Sequence, residues 1–328
     1  MDAKRIVLLG VAAAALQWTG LSAAGATSDS RAGEVLLFSY FKGNGEDGLH
    51  LAWSADGLKW TPLKNDTSFL KPTVGNDKLM RDPCILRGPD GLFHMVWTVS
   101  WKERGIGYAN SKDLMRWSPQ KYIPVMEHEP TARNCWAPEL FYDEETGQYL
   151  IFWATTIPGR FPATEATGDE GLNHRMYYVT TRDFETFSPT KLFYDPGFNV
   201  IDATVVKSGG RYVMFLKDET RHPPQKNIRI AYSDRAEGPY GPAGEPITGD
   251  YWAEGPSAIR IGDAWIVYFD RYTQHRYGAV KSHDLVRWQD ISAEVDFPAG
   301  FRHGTVFRAG AEVFEGLRRL SAGAARKE

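Results

Sequence analysis

The sequence predicts an all-β chain: a five-bladed β-propeller whose ring is closed by pairing the C-terminal strand with the N-terminal strands. Three observations predict it. One short pattern recurs five times, an aromatic-rich strand segment precedes every copy, and helical periodicity is nearly absent. The pattern is a strand, then a small or hydroxyl residue with Asp nearby, then an aromatic. Its copies are LHLAWSADGLKW (49–60), IGYANSKDLMRW (106–117), MYYVTTRDFETF (176–187), IRIAYSDRAEGPY (228–240) and YGAVKSHDLVRW (277–288). They recur every 50–70 residues or so, a length that suits one four-stranded blade.

The segments before the copies are EVLLFSYF, FHMVWTVSW, YLIFWATT, YVMFLKDE and WIVYFDRY. They are rich in β-branched and aromatic residues and bounded by Gly, Pro and Asp, which reads as strand between turns. A third element leads each unit: RDPCIL (81–86), WAPELF (136–141), IDATVV (201–206), AEGPSAI (253–259) and RHGTVF (302–307). The last of these has no partner strands after it, and the first strand pair has no leading strand before it. Joining the two completes one blade and leaves no dangling edge.

The bulk properties are those of a globular chain. Of 328 residues, 42% are hydrophobic and 24% charged, enough for a large core. The net charge of -3 provides no basic face for nucleic acid. At the N-terminus, Lys4 and Arg5 precede an apolar stretch that ends at Ala24-Gly25-Ala26, a small-x-small cleavage signature. Residues 1–26 are therefore expected to be a signal peptide, residues 33–308 the propeller and residues 309–328 a tail. No later segment approaches the ~20 apolar residues of a membrane span, so export to the periplasm or medium is expected. Cys84 and Cys135 fall about four residues out of register on neighbouring inner strands, roughly 13 Å apart at strand rise. A disulfide needs Cα atoms within about 7 Å, so free thiols are expected.

In a propeller the innermost strands line the central axis, and their starts converge on one mouth. Aligned on the second residue, the leading segments bring Asp82, Ala137, Asp202, Glu254 and His303 to that mouth. Three carboxylates converging there repel one another and raise each other's pKa, which is costly without a purpose. Glycoside hydrolysis needs such a set: one carboxyl as acid, one as base or nucleophile, and a third can tune the acid. Trp101, Trp136, Phe198, Arg221 and Arg271 fall near the same mouth and are candidate sugar contacts. Glu139 lies two residues past the aligned position, deeper along the channel, and reads as structural. The insertion 157–175 begins at a strand end on the mouth; walling one side of the pocket favours exo action. His94, His174 and His222 have no metal-ligand spacing.

The order DP, WAPE, ID, EGP, HG on successive inner strands resembles glycoside hydrolase family 43, over about residues 33–308. That resemblance implies an inverting enzyme with Asp82 as general base, Glu254 as general acid and Asp202 as the residue that tunes and orients the acid. It implies that His303 is the axial His that helps to hold a central Ca²⁺ or water; no cofactor is required for the hydrolysis itself, and such a Ca²⁺ would be structural. The substrates it implies are arabinofuranosyl, xylosyl or related furanosyl groups on polysaccharide side chains. One strand pair precedes the base here, so this ring closes at a different point from the usual layout of that family. The alternatives are a β-D-galactofuranosidase on the same fold and a non-catalytic carbohydrate-binding propeller. A lectin propeller repeats one site in each blade, whereas these five positions differ from blade to blade.

Overall fold

The computed structural model describes residues 33–324; the expected signal peptide, residues 1–26, lies outside them. Among the described residues, nineteen strands form five antiparallel sheets. The chain opens with β1 (Glu34–Tyr40), β2 (His50–Ser54) and β3 (Thr61–Pro62). The next blade is β4 (Arg81–Arg87), β5 (Phe93–Thr98), β6 (Ile106–Ser111) and β7 (Lys121–Ile123). It is followed by β8 (Trp136–Asp143), β9 (Gln148–Thr156), β10 (His174–Thr181) and β11 (Lys191–Tyr194). The fourth sheet holds only β12 (Val200–Ser208), β13 (Arg211–Asp218) and β14 (Asn227–Ser233). The fifth is β15 (Glu254–Ile261), β16 (Ala264–Arg271), β17 (Arg276–Ser282) and β18 (Gln289–Asp290). Strand β19 (Val306–Gly310) returns to the first sheet, and helix α1 (Ala311–Ala324) follows it.

The inner strands touch in sequence around the ring: β4 with β8, β8 with β12, β12 with β15, β15 with β19 and β19 with β4. Closure is the antiparallel pairing of β1 with β19, from Glu34 opposite Gly310 to Phe38 opposite Val306. Gly304 is required at this join, because a Cβ there would sit 1.8 Å from the Ser39 carbonyl oxygen. The core lies between blades rather than within one sheet. At the closing join, Phe38 makes edge contacts with Trp60, Tyr268, Tyr277, Phe297 and Phe301 at 5.2–5.8 Å. Helix α1 buries Phe314 and Leu317 against the first two blades, where Phe314 meets Trp53 at 4.9 Å. The tail thus docks as a helix, and β19 runs two residues past the expected domain boundary. Cys84 and Cys135 are buried and free.

The recurring Asp of the sequence pattern has a local cause. Ser54, Ser111, Thr181 and Ser282 end a strand, and each hydroxyl accepts the amide three residues on, at 2.8–2.9 Å. The Asp two residues after each of them accepts the next two amides. Side chains thereby satisfy donors that the turn would otherwise orphan.

Candidate active site

At one mouth of the channel a cavity of about 220 Å³ is lined by residues of all five inner strands or the segments leading into them. Each inner strand breaks register at the same place. The breaks fall between Arg81 and Cys84, Trp136 and Glu139, Ile201 and Thr204, and Glu254 and Ser257. In the first sheet, which β19 closes, Phe41 pairs with Arg302, and Ser39 then exchanges both amide bonds with Thr305, so the same irregularity falls at His303-Gly304. Such a bulge cancels the alternation of a strand. Two consecutive residues of one strand then face the cavity together: Arg81 with Asp82, Trp136 with Ala137, Ile201 with Asp202, and Arg302 with His303.

This register corrects the sequence alignment at one point. Asp82, Ala137 and Asp202 follow the last paired residue and carry φ of 51°, 47° and 54°; the residue in that place in the fifth sheet is Gly255, with φ 58°. Glu254 stands one position earlier, level with Arg81, Trp136, Ile201 and Arg302. In sequence the acid takes the aligned place because Gly255 has no side chain to mark the position. A Cβ on Gly255 would meet the His303 ring at 2.4 Å, so glycine there makes room for that ring.

The carboxylates differ in their surroundings. Burial opposes ionisation of Asp82, but the hydrogen bond and charge of His303, the charge of Arg81 and a hydrogen bond from Thr98 hold its pKa at about 2. Thr98 donates to Oδ2 at 2.8 Å, and His303 Nδ1 lies 3.4 Å from Oδ1. Asp202 moves the other way. Burial pushes it up to about 6, with the charges of Glu254 and Asp82 adding to the rise and those of His303 and Lys217 opposing it. Its Oδ2 accepts the Gly255 amide at 3.0 Å. Glu254 is held at both oxygens, by Lys217 at 3.1 Å and by Arg302 at 3.2 Å. Arg302 also pairs with Asp270 at 2.8 Å. Burial pushes Asp270 up to about 7, and the Glu254 charge adds to it. His303 is buried, which disfavours its charge, yet Asp202, Asp82 and Glu254 raise it to about 9.

Of the five candidate sugar contacts, Trp101 and Trp136 line the cavity, edge to face at 5.4 Å. Arg81 stacks on Trp101 at 4.2 Å, and Asn44 accepts both the Arg81 guanidinium and the Trp101 indole N–H. Phe198, Arg221 and Arg271 are outside the lining. Phe198 packs into the core between the third and fourth blades. Arg221 is turned to Asp169 at 3.2 Å, and Arg271 lies over the Tyr251 ring at 3.8 Å. No residue of the 157–175 insertion lines the cavity. His174 packs beside Trp136 and His94 is buried between tyrosines. Lys217, Glu219, Tyr272 and Arg302 are lining residues that the single-residue alignment did not single out.

Glu139 is buried deeper on the axis, where it accepts Thr305 at 3.0 Å, Thr204 at 3.2 Å and the Cys84 thiol at 3.3 Å. Burial pushes its pKa up to about 7. Calcium takes six to eight oxygen ligands. Among the described residues no group of three or more His, Cys, Asp or Glu is placed to hold a metal ion, and His303 Nδ1 faces two carboxylates as an ion-pair partner. The residues around His303 therefore do not fit a calcium ion.

Residues 34–313 match the glycosyl hydrolase 43-related model, described as a probable glycosyl hydrolase domain. An α-L-arabinofuranosidase of Bifidobacterium longum subsp. longum is 26% identical over 160 residues, 43% of this chain. The match spans only 15% of that longer relative. Among solved structures, the α-L-arabinofuranosidase from Lactobacillus brevis superposes with a TM-score of 0.50 at 19% identity, over 64% of this chain and 72% of that one. A family-43 β-1,3-galactosidase gives 0.56 at 16% identity, over 89% of this chain and 61% of that one. At these identities the structural likeness speaks for the fold.

Proposed function

The chain belongs to the glycosyl hydrolase 43-related family, and from that premise we propose that it is an exported, inverting, exo-acting glycosidase. The observation that carries the reading is the opposed pair of aspartates in one small cavity. Asp82 is held down at about 2 while Asp202 is pushed up to about 6. Environments that drive neighbouring carboxyls apart separate a base from the rest of an acid–base set. Asp82, ionised at neutral pH, takes a proton from the attacking water. Glu254 gives a proton to the leaving oxygen, with Lys217 and Arg302 fixing its position. Asp202 stands between them electrostatically and hydrogen-bonds the backbone beside Glu254. His303 holds Asp82 in place and neutralises it. A sugar ring stacks against Trp101 and Trp136, whose flat apolar faces suit the C–H face of a pyranose or furanose.

The cavity is smaller than the 300–1,000 Å³ or so of sites that take drug-sized ligands, which supports a site for a single terminal sugar. The relatives' names point to arabinofuranosyl and galactosyl groups, and xylosyl remains in the set that the family resemblance implies. Export rests on the N-terminal Lys-Arg and apolar run; N-terminal sequencing of protein from the periplasm or medium, beginning near Thr27, tests it.

The test of the activity is hydrolysis of p-nitrophenyl α-L-arabinofuranoside, β-D-xyloside, β-D-galactofuranoside and β-D-galactopyranoside by wild type and Asp82→Asn. One substrate should turn over, and Asp82→Asn should lose at least about 10³-fold in kcat/KM with its fold intact. Sugar binding without turnover of any glycoside, natural oligosaccharides included, would support a binding propeller instead.

A further inference from the structure

A line of paired charges runs from the 157–175 insertion to Glu254. Asp169, on the insertion, accepts Lys226 Nζ at 3.0 Å. Lys226 Nζ also meets Glu219 Oε1 at 2.5 Å, and the other oxygen of Glu219 meets Lys217 Nζ at 2.6 Å. Lys217 then reaches Glu254 at 3.1 Å. The two lysine side chains are 3% and 2% exposed. Burying an ammonium costs several kcal/mol unless it is paired, and here two of them share one carboxylate. The backbone repeats the coupling: the Ala253 amide, just before Glu254, donates to the Lys226 carbonyl at 2.9 Å. The insertion is clamped from the same side, since the amides of Arg221 and His222 converge on the Thr167 carbonyl and Arg221 pairs with Asp169.

We propose that Glu219 is a positioning residue, which holds Lys217 against Glu254 and offsets its charge there, and that Asp169 extends this hold to the insertion through Lys226. The inference rests on the reading of Glu254 as the acid. Its physical content is electrostatic. Glu254 is faced by Lys217 from β13, Arg302 from the segment before β19, Asp270 from β16, Asp202 from β12, and by His303, Tyr272 and Tyr277. Without the Glu219 charge, the Lys217 ammonium acts on Glu254 undiluted and favours its ionised form. Without Asp169, Lys226 draws more of Glu219 to itself, a smaller change of the same sign. An acid tuned through Lys226 would thus sense how the insertion sits.

The experiment is a ¹³C NMR titration of the glutamate carboxyls in the full chain, with Glu254 assigned by the signal lost in Glu254→Gln. In Glu219→Gln the Glu254 midpoint should fall by about one pH unit, a tenfold change in its ionisation constant. In Asp169→Asn it should fall in the same direction by about threefold. A Glu219→Gln protein that melts earlier but keeps the wild-type midpoint would reduce Glu219 to packing and overturn the proposal. Should Glu219→Gln not fold, Asp169→Asn decides alone, and an unmoved midpoint overturns it. The titration needs no substrate, so it fails separately from the proposed activity, which falls if Glu254→Gln still cleaves unactivated glycosides at the wild-type rate.

Discussion

His303 shows most directly how a single residue of the cavity ties stability to pH. Its folded pKa of about 9 lies above the ordinary value of 6.5. A group raised in this way stabilises the fold fully below pH 6.5, and the contribution is lost as pH rises through 9. The shift corresponds to about 3 kcal/mol. Chemical denaturation of wild type should therefore show stability falling between pH 6.5 and 9, and His303→Gln should flatten that slope. An equal slope in both proteins would assign the loss to other groups. At this scale the sequence was only partly legible. Asp82, Asp202 and His303 could be read off the aligned strands, because one residue per blade marks the position. Arg302 could not, because strand alternation sends the neighbour of an inward residue away from the site. The bulge reverses that rule, and no residue type announces a bulge where Asp82, Ala137 and Asp202 adopt positive φ without glycine. Phe198, Arg221 and Arg271 lie near strand ends in the sequence, yet each has a closer partner in Arg229, Asp169 and Tyr251.

The blade is the unit the sequence displayed best, and the hydroxyl-x-Asp turn explains why. Four blades carry it, and the residue after each Asp takes a left-handed conformation: Gly57, Leu114, Phe184 and Leu285 have φ of 56–78°. The fourth copy, IRIAYSDRAEGPY, has Arg235 where the others have Asp, and Ser233 accepts a single amide, that of Arg235, at 3.1 Å. That same sheet has three strands rather than four. The turn chemistry and the strand count therefore fail together. In Ser111→Ala the loss of two accepted amides and the bond to the Arg116 carbonyl should cost about 1–2 kcal/mol. Ser233→Ala should cost about half as much or less. Equal costs, measured by urea denaturation, would mean that the turn does not set blade stability.

At the scale of the whole molecule the closure decides whether a ring exists. It joins residues 266 positions apart, Ser39 with Thr305, the ends of the whole propeller. The sequence revealed it through a count: one leading strand lacked partners and one strand pair lacked a leader. Gly304→Ala should destabilise the protein by about 2–4 kcal/mol, because its Cβ would strike the Ser39 carbonyl. Gly310→Ala, at the far end of β19 with no atom within 4 Å of the new Cβ, should stay within about 0.5 kcal/mol of wild type. Matching losses would place the closure energy elsewhere. The closed ring in turn brings Asp82 and Glu254, the proposed base and acid, from different blades into the lining of one cavity. The measurement that tests this most directly is the ¹H NMR spectrum of the first sugar released from the substrate that turns over. The anomer should be inverted relative to the substrate, ahead of mutarotation. A first product with retained configuration would mean that a carboxylate attacks the sugar directly, and would contradict the assignment of Asp82 as a base for water.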